Sequence, residues 1–301
     1  MTSMDSAVHE RVVRYGNVLA GIAAKFPEDR RWGRIQHKER GMRTMIKAVG
    51  IFLWGLALPA MGLDIKPLPK EISVPQALYI NCLQRTQTQQ LLKTYLMIGL
   101  HSSYKNPKKS LAEAIPRYDK RFGELDAFFR VRIKDPEHLA YLDKAVQLWK
   151  ESKALLEASV TPENGKQLYK NFKVLVKLLG KAKVLAKKSF KAVGMTGGLC
   201  RDPLYISNLY LLHLWGAAVP DHDQQMQKTF SHFSKDIKRL KAYKGSTDEI
   251  NMHIANAEDA FRFFTFMYAH KITIPTLISK KADNIFLEIR TIKSLYGKML
   301  K

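Results

Sequence analysis

From Ile72 onward the apolar residues recur at helical spacing, and no stretch alternates β-branched and polar residues for long enough to make a strand. That regularity excludes sheet folds and predicts an all-α chain. Breaks at proline and glycine divide it into helices expected at 74–101, 108–130, 136–158, 163–192, 199–217, 221–243, 247–270 and 275–299. Asp135 before Pro136, Thr161 before Pro162, and Ser246 with Thr247 ahead of Asp248 and Glu249 have the form of N-caps followed by a proline or acidic first turn.

The eight helices read as four used twice. A shift of 115 residues lays Tyr95 and Leu96 on Tyr210 and Leu211, Tyr118 on Phe233, Leu125 on Leu240 and Trp149 on Phe264. Anchors recurring at one offset mark a tandem duplication. Four helices with short loops are what an up-down four-helix bundle needs. The expected organisation is a first four-helix unit over 63–193 and a second, degenerate one over 194–301. The segment KAVGMTGGLC (191–200) stands at their junction, its glycines either a break between units or small residues that let helices approach closely.

Ahead of the helices, residues 42–62 carry a basic start, an apolar run from Ala48 to Leu58 and small residues after Pro59, the shape of a signal peptide. The run is shorter than the ~20 residues of a membrane span. A cleaved leader implies a periplasmic protein; the alternative is an uncleaved anchor in the inner membrane. Residues 1–41 are polar and read either as an over-long start upstream of Met42 or Met45, or as a cytoplasmic tail. The formal charge of +23 admits nucleic acid, anionic surfaces or a solvated lysine exterior as its explanation. Export and the lack of a recognition motif set nucleic acid aside.

One stripe stands out. In NCLQRTQTQQLLKTYLMIGL (81–100), Cys82, Arg85, Gln89, Leu92, Leu96 and Gly99 fall at alternating spacings of three and four, so Arg85 and Gln89 occupy positions that ordinarily meet another helix. A charge there costs several kcal/mol unless it is paired. Either a carboxylate such as Glu113, Glu124 or Asp126 faces Arg85, or an anionic ligand does. The matching stripe of the second unit, Gly197, Cys200, Leu204, Ser207, Leu211 and Leu214, holds neither charge nor amide, although Arg201 lies one position along. The asymmetry assigns a special role to the first unit.

INCLQRTQTQQLLKTYLMIGL resembles the GRQRMLSQRMAKxYL signature of the PilJ-type sensor domain, found at the N-terminus of type IV pilus methyl-accepting chemotaxis transducers and related to the sensing domain of NarX-type nitrate and nitrite kinases. Gln84 and Arg85 stand where that motif has Gln-Arg, Thr88 and Gln89 where it has Ser-Gln, and Lys93, Tyr95 and Leu96 where it has Lys and Tyr-Leu. LAEAIPRYDKRFGELDAF is similar to the family's second helix, ISNLYLLHLWGAAVP with FSHFSKDIKRL to the second copy, and residues 259–296 to the family's ending. Thr86, Gln87 and Gln90 depart from the motif, the last replacing an arginine. The resemblance implies an extracytoplasmic ligand sensor in which the motif arginine binds a small anion at a helix interface between subunits. Carried over, Arg85 supplies the charge, and Gln89, Gln84 and Thr88 supply neutral donors. A guanidinium fork suits planar oxyanions. Without a second span or signalling stalk in this sequence, such a sensor would report through a membrane signalling partner or through a homodimer.

The remaining constellations point to no catalysis and no cofactor. Cys82 and Cys200 lack metal-site spacing and form either one disulfide or two free buried thiols. The histidines show no zinc spacing, and His213 beside Trp215 reads as a packed histidine. KNFKVLVKLLGKAKVLAKKSFK (170–191) is a basic amphipathic helix, for contact with anionic polymers or simply with a lysine-covered outer face. Phe261, Phe264 and Tyr268 share one helical face and suit a core. The runner-up reading is a basic helical scaffold docking on anionic envelope components, with Arg85 in an internal salt bridge.

Overall fold

The computed structural model of this chain describes residue 68 and residues 71–185, 191–243 and 245–299, and the side chains among them outside 183–195 and 297–299. The segments 1–41 and 42–62, expected as a tail and a leader, lie outside the described residues. All described residues belong to one compact unit, Ala60–Lys301.

The described chain is all-α: α1 (Val74–Gly99), α2 (Pro107–Arg132), α3 (Pro136–Glu157), α4 (Pro162–Leu179), a 3-10 segment (Gly180–Leu185), α5 (Lys191–Leu214), α6 (His222–Lys241), α7 (Asp248–Ala269) and α8 (Pro275–Met299). The caps are those the sequence predicts: Asp135, Thr161 and Thr247 accept the backbone N–H of His138, Asn164 and Ile250. Ser73 and Gln76 add a reciprocal capping box at the start of α1.

Two expected boundaries move. The helix expected at 163–192 ends at Leu179, and the basic stretch beyond it turns 3-10 at Gly180. Within α4, Leu168, Phe172, Leu175, Leu178 and Leu179 are buried while Lys170, Lys173 and Lys177 are exposed, a lysine-covered outer face. The glycine-rich junction is not a break either, since α5 starts at Lys191 and runs through it. Gly197 and Gly198 are there for close approach: a Cβ would come within 3.1 Å of the Cys82 sulfur and 3.0 Å of the His232 ring, respectively.

Helix α1 packs against α2, α4 and α5; α2 meets α3, and α3 meets α4. Helix α5 packs against α6 and α8, α6 meets α7, and α7 meets α8. The α1–α5 contact is therefore the main one between the first four helices and the last four. Trp215, just past α5, fills a slot there: a Cβ on Gly99 would lie 2.1 Å from its indole, and one on Gly165 would lie 2.8 Å away. The anchors of the 115-residue repeat, including Tyr95, Tyr118, Trp149, Phe233 and Phe264, are all buried. Phe261 stacks on Phe233 at 4.0 Å and lies in the same core. His213, expected as a packed core or interface residue, is not in the core: at the last turn of α5 it is exposed, with its ring 5.0 Å from that of His222.

Candidate functional site

Because α1 has neighbours on several sides, its polar residues are buried around most of its circumference. Three threonines need no outside help: Thr86, Thr88 and Thr94 donate to the carbonyls of Cys82, Gln84 and Gln90, one turn back. The four residues that the resemblance assigns to a ligand part company by helical geometry, since 84 and 88 share one face and 85 and 89 another.

Gln84 and Thr88 turn to α2. Gln84 accepts from Arg121 Nε at 2.6 Å and donates to the Tyr118 carbonyl at 3.3 Å. The Tyr118 hydroxyl lies 2.7 Å from Thr88 Oγ1 and, since Thr88 gives its own hydrogen to Gln84, acts as the donor. Burial pushes the Tyr118 phenol up to about 12. The cavity beside Gln84, Asn81 and Asp126 is about 10 Å³, room for a single water. Gln84 and Thr88 are thus occupied inside the fold and do not join Arg85 around a ligand. Gln89 faces α5, where its side-chain and backbone oxygens both accept from Asn208 Nδ2 at 3.0 Å.

Arg85 sits at the end of α4. Its Nε donates to Val176 O at 3.0 Å, and Asn81, one turn earlier, donates to Leu179 O at 2.8 Å. Asn81 satisfies a carbonyl of the last turn, Arg85 adds a second donor to Val176 O, which also accepts the Gly180 N–H, and the guanidinium meets the negative end of the helix dipole. The guanidinium lies over Gly180, where a Cβ would approach Nη2 to 3.0 Å. Among the described residues no carboxylate pairs with Arg85. The three candidates are engaged elsewhere: Glu113 with Arg117, Asp126 with Arg130, and Glu124 with the backbone N–H of Leu68.

Two cations that the sequence did not assign to the site join it. Burial, and next the neighbouring Arg201 of α5, push Arg85 down to about 10, with the nearby Cys82 opposing. Arg201 itself donates from Nε to Gly197 O at 3.2 Å. Lys293 of α8 is 1% exposed, with its ammonium 4.3 Å from the centre of the Tyr79 ring. Cys82 lies among all three. Burial alone would raise its thiol, but Lys293, Arg85 and Arg201 outweigh burial and hold it below the ordinary value. Cys82 and Cys200 are both free thiols, and burial pushes Cys200 up to about 12. Arg201 carried a hint in its near-match to the repeat offset; Lys293 carried none.

A second ionic cluster ties α1 to α8. Lys93 is paired with Asp283, which also takes Lys105 at 2.8 Å. Burial works against both charges, yet the two lysines hold Asp283 below the usual carboxylate range. Among the described residues no cluster of His, Cys, Asp and Glu could hold a metal ion, and no helix is long and apolar enough to cross a membrane. Set against known proteins, this all-α chain matches no family model, no curated protein and no solved structure.

Proposed function

We propose that this chain is an exported, non-catalytic binding protein of the sensor type, built as two tandem four-helix bundles. In this reading it takes a small oxyanion between Arg85 and Arg201 and delivers that occupancy to a membrane partner. One observation carries the reading: two guanidinium groups from opposite halves of the repeat lie within electrostatic reach of each other, and no described carboxylate neutralises Arg85. With Nε committed to Val176, the remaining N–H groups of Arg85 are the ones left to a ligand. The pairing of α1 with α5 supports a further point, since the facing helix that the resemblance places on a second subunit is here supplied by the same chain. Export would use the leader at 42–62, and the four-helix units are supported by the recurrence of helix bounds at the repeat offset.

Thermal-shift and calorimetric titration with nitrate, nitrite, sulfate and phosphate tests this. A ligand held only by the native state raises stability by mass action, so one of these anions should give a saturable rise that disappears in Arg85→Ala and in Arg201→Ala. No rise with any of them, or an equal rise in Arg85→Ala, ends the proposal.

The bond from Arg85 Nε to Val176 O favours a second reading, a scaffold in which Arg85 simply caps α4. The exposed lysines of α4 would then dock on anionic envelope components. Binding to anionic vesicles that fades with salt, without any specific anion effect, would select it.

A further inference from the structure

Lys93 and Lys293 are both enclosed lysines on helices that meet across the two halves of the chain, but only one has a carboxylate. Lys93 is 5% exposed and is paired with Asp283. Lys293 is 1% exposed, and no described carboxylate pairs with it. A lone ammonium in such a place is costly, and an aromatic face such as that of Tyr79 offsets only part of that cost. Tyr79 stands one turn before Cys82 on α1, which brings the Lys293 ammonium to the turn that carries this thiol, and Lys293 is the cation that lowers the thiol most. Arg85 and Arg201 add positive charge from α1 and α5, so the charged side chains that lower this thiol most are all cations. A thiolate at Cys82 would supply the missing counter-ion.

The second cysteine is close at hand. Gly197 of α5 touches the Cys82 sulfur, at a distance where a Cβ would stand 3.1 Å away. Cys200 lies three residues on, one turn along the same helix, and a charge on Cys82 is felt there. Cys82 is half-buried, whereas Cys200 is 1% exposed. The two thiols therefore have different roles open to them: one is half-buried and lowered by its cations, the other enclosed and raised by burial.

We propose that Cys82 is a reactive thiol, held as the counter-ion of Lys293, which attacks small disulfides and is then resolved by Cys200 into a bridge joining α1 to α5. In the first step the Cys82 thiolate displaces one half of a disulfide RSSR, forming a Cys82–S–S–R bond and releasing RS⁻. In the second, the Cys200 thiol gives up its proton to RS⁻, and its sulfur attacks Cys82. The Cys82–Cys200 bond forms, and the other half leaves as a second RS⁻. Both cysteines are oxidised, one RSSR is reduced, and the products are RSH and RS⁻. The order follows from nucleophile supply, since a thiolate reacts and a thiol does not. Closing the bridge removes the one negative charge of the cluster and leaves Arg85, Arg201 and Lys293 unopposed.

The test uses the full chain and needs no anion. Iodoacetamide at neutral pH followed by peptide mass spectrometry should modify Cys82 ~10-fold faster than Cys200, and Lys293→Met should slow Cys82 by ~5-fold or more, as expected for a thiol that loses its activating cation. Oxidised glutathione should convert wild-type chain to a monomer that has lost both free thiols and two hydrogens of mass. In Cys200→Ser the reaction should instead stop at a glutathione adduct on Cys82. Equal alkylation rates, a Lys293→Met rate unchanged from wild type, or an oxidised wild type that keeps the Cys200 thiol free would each overturn the proposal. The rate ratio is read in the unmutated protein, so a variant that fails to fold does not remove the test.

Discussion

Helices α1 and α5, which the sequence pattern pairs at an offset of 115 residues, pack against each other, yet they fill their buried faces differently. Helix α1 buries Asn81, Gln84, Thr86, Gln87, Thr88, Gln89, Lys93 and Thr94, whereas α5 buries mostly Leu199, Leu204, Ile206, Leu209, Leu211 and Leu212, with Thr196, Asp202, Ser207 and Asn208 as its polar minority and Asn208 bonded to α1. The polar groups of α1 are shared out among its neighbours: Asn81 and Arg85 to α4, Gln84 and Thr88 to α2, Gln89 to α5, Lys93 to α8. Leucine packing tolerates exchange of one apolar side chain for another. A set of directional contacts does not, because each broken one leaves a buried group without its partner. Helix α1 is thus keyed to one position and α5 is the surface it is keyed against.

The comparison breaks most easily at Asp283. Asp283→Asn leaves the Lys93 ammonium enclosed without a counter-charge and should cost about 3–5 kcal/mol in denaturant unfolding, most of it recovered by adding Lys93→Met. A loss near zero would mean that the ion pair does not key α1. Next in size is Asn208→Leu, which removes the amide that α5 offers to α1 and strands the side-chain oxygen of Gln89; a cost of about 1–3 kcal/mol is expected in the same measurement. Replacing Asn208 and Gln89 together by leucine should cost less than Asn208→Leu alone, and the double-mutant cycle reads the difference.

The thiol gives a pH-dependent version. The folded-state value of Cys82 is lowered by its cations against the effect of burial. Its contribution is therefore complete above the unfolded thiol value of about 8.5 and is lost as pH falls through the folded value. Under reducing conditions the stability gap between wild type and Cys82→Ser should widen as pH rises toward about 8.5, and a gap that stays flat would place a neutral thiol beside Lys293. The smallest effect is expected from Glu113→Gln. Glu113 pairs with Arg117 on the surface of α2, so the change should stay within about 0.5 kcal/mol and leave any anion response of Arg85 intact.

Helix existence and the caps at Asp135, Thr161 and Thr247 were legible because periodicity and capping are local chemistry. The glycines at 194–198 left a break and a close approach both open, because a glycine's helix penalty is local while its compensation is not. Gly197 and Gly198 stay helical where Cys82 and His232 close on them from other helices. Arg85 was visible as an anomaly, but its direct partner is the backbone oxygen of Val176, and backbone has no letter in a sequence. Lys293 was invisible for a related reason, since one lysine among many gains meaning only from the tertiary contact that brings it to Cys82. Gln84 and Thr88 entered the ligand set through a linear motif, which lists residues that a helix then points in different directions.

The indole of Trp215 has one more implication. Wedged over Gly99 and Gly165, it works as a registration pin: the first four helices cannot glide along the last four by part of a turn without driving the ring into backbone. Rolling about the pinned contact or lifting the ring clear are the displacements left open, so any message crossing this junction would travel as torsion or as detachment, and not as the piston stroke of one rod past another.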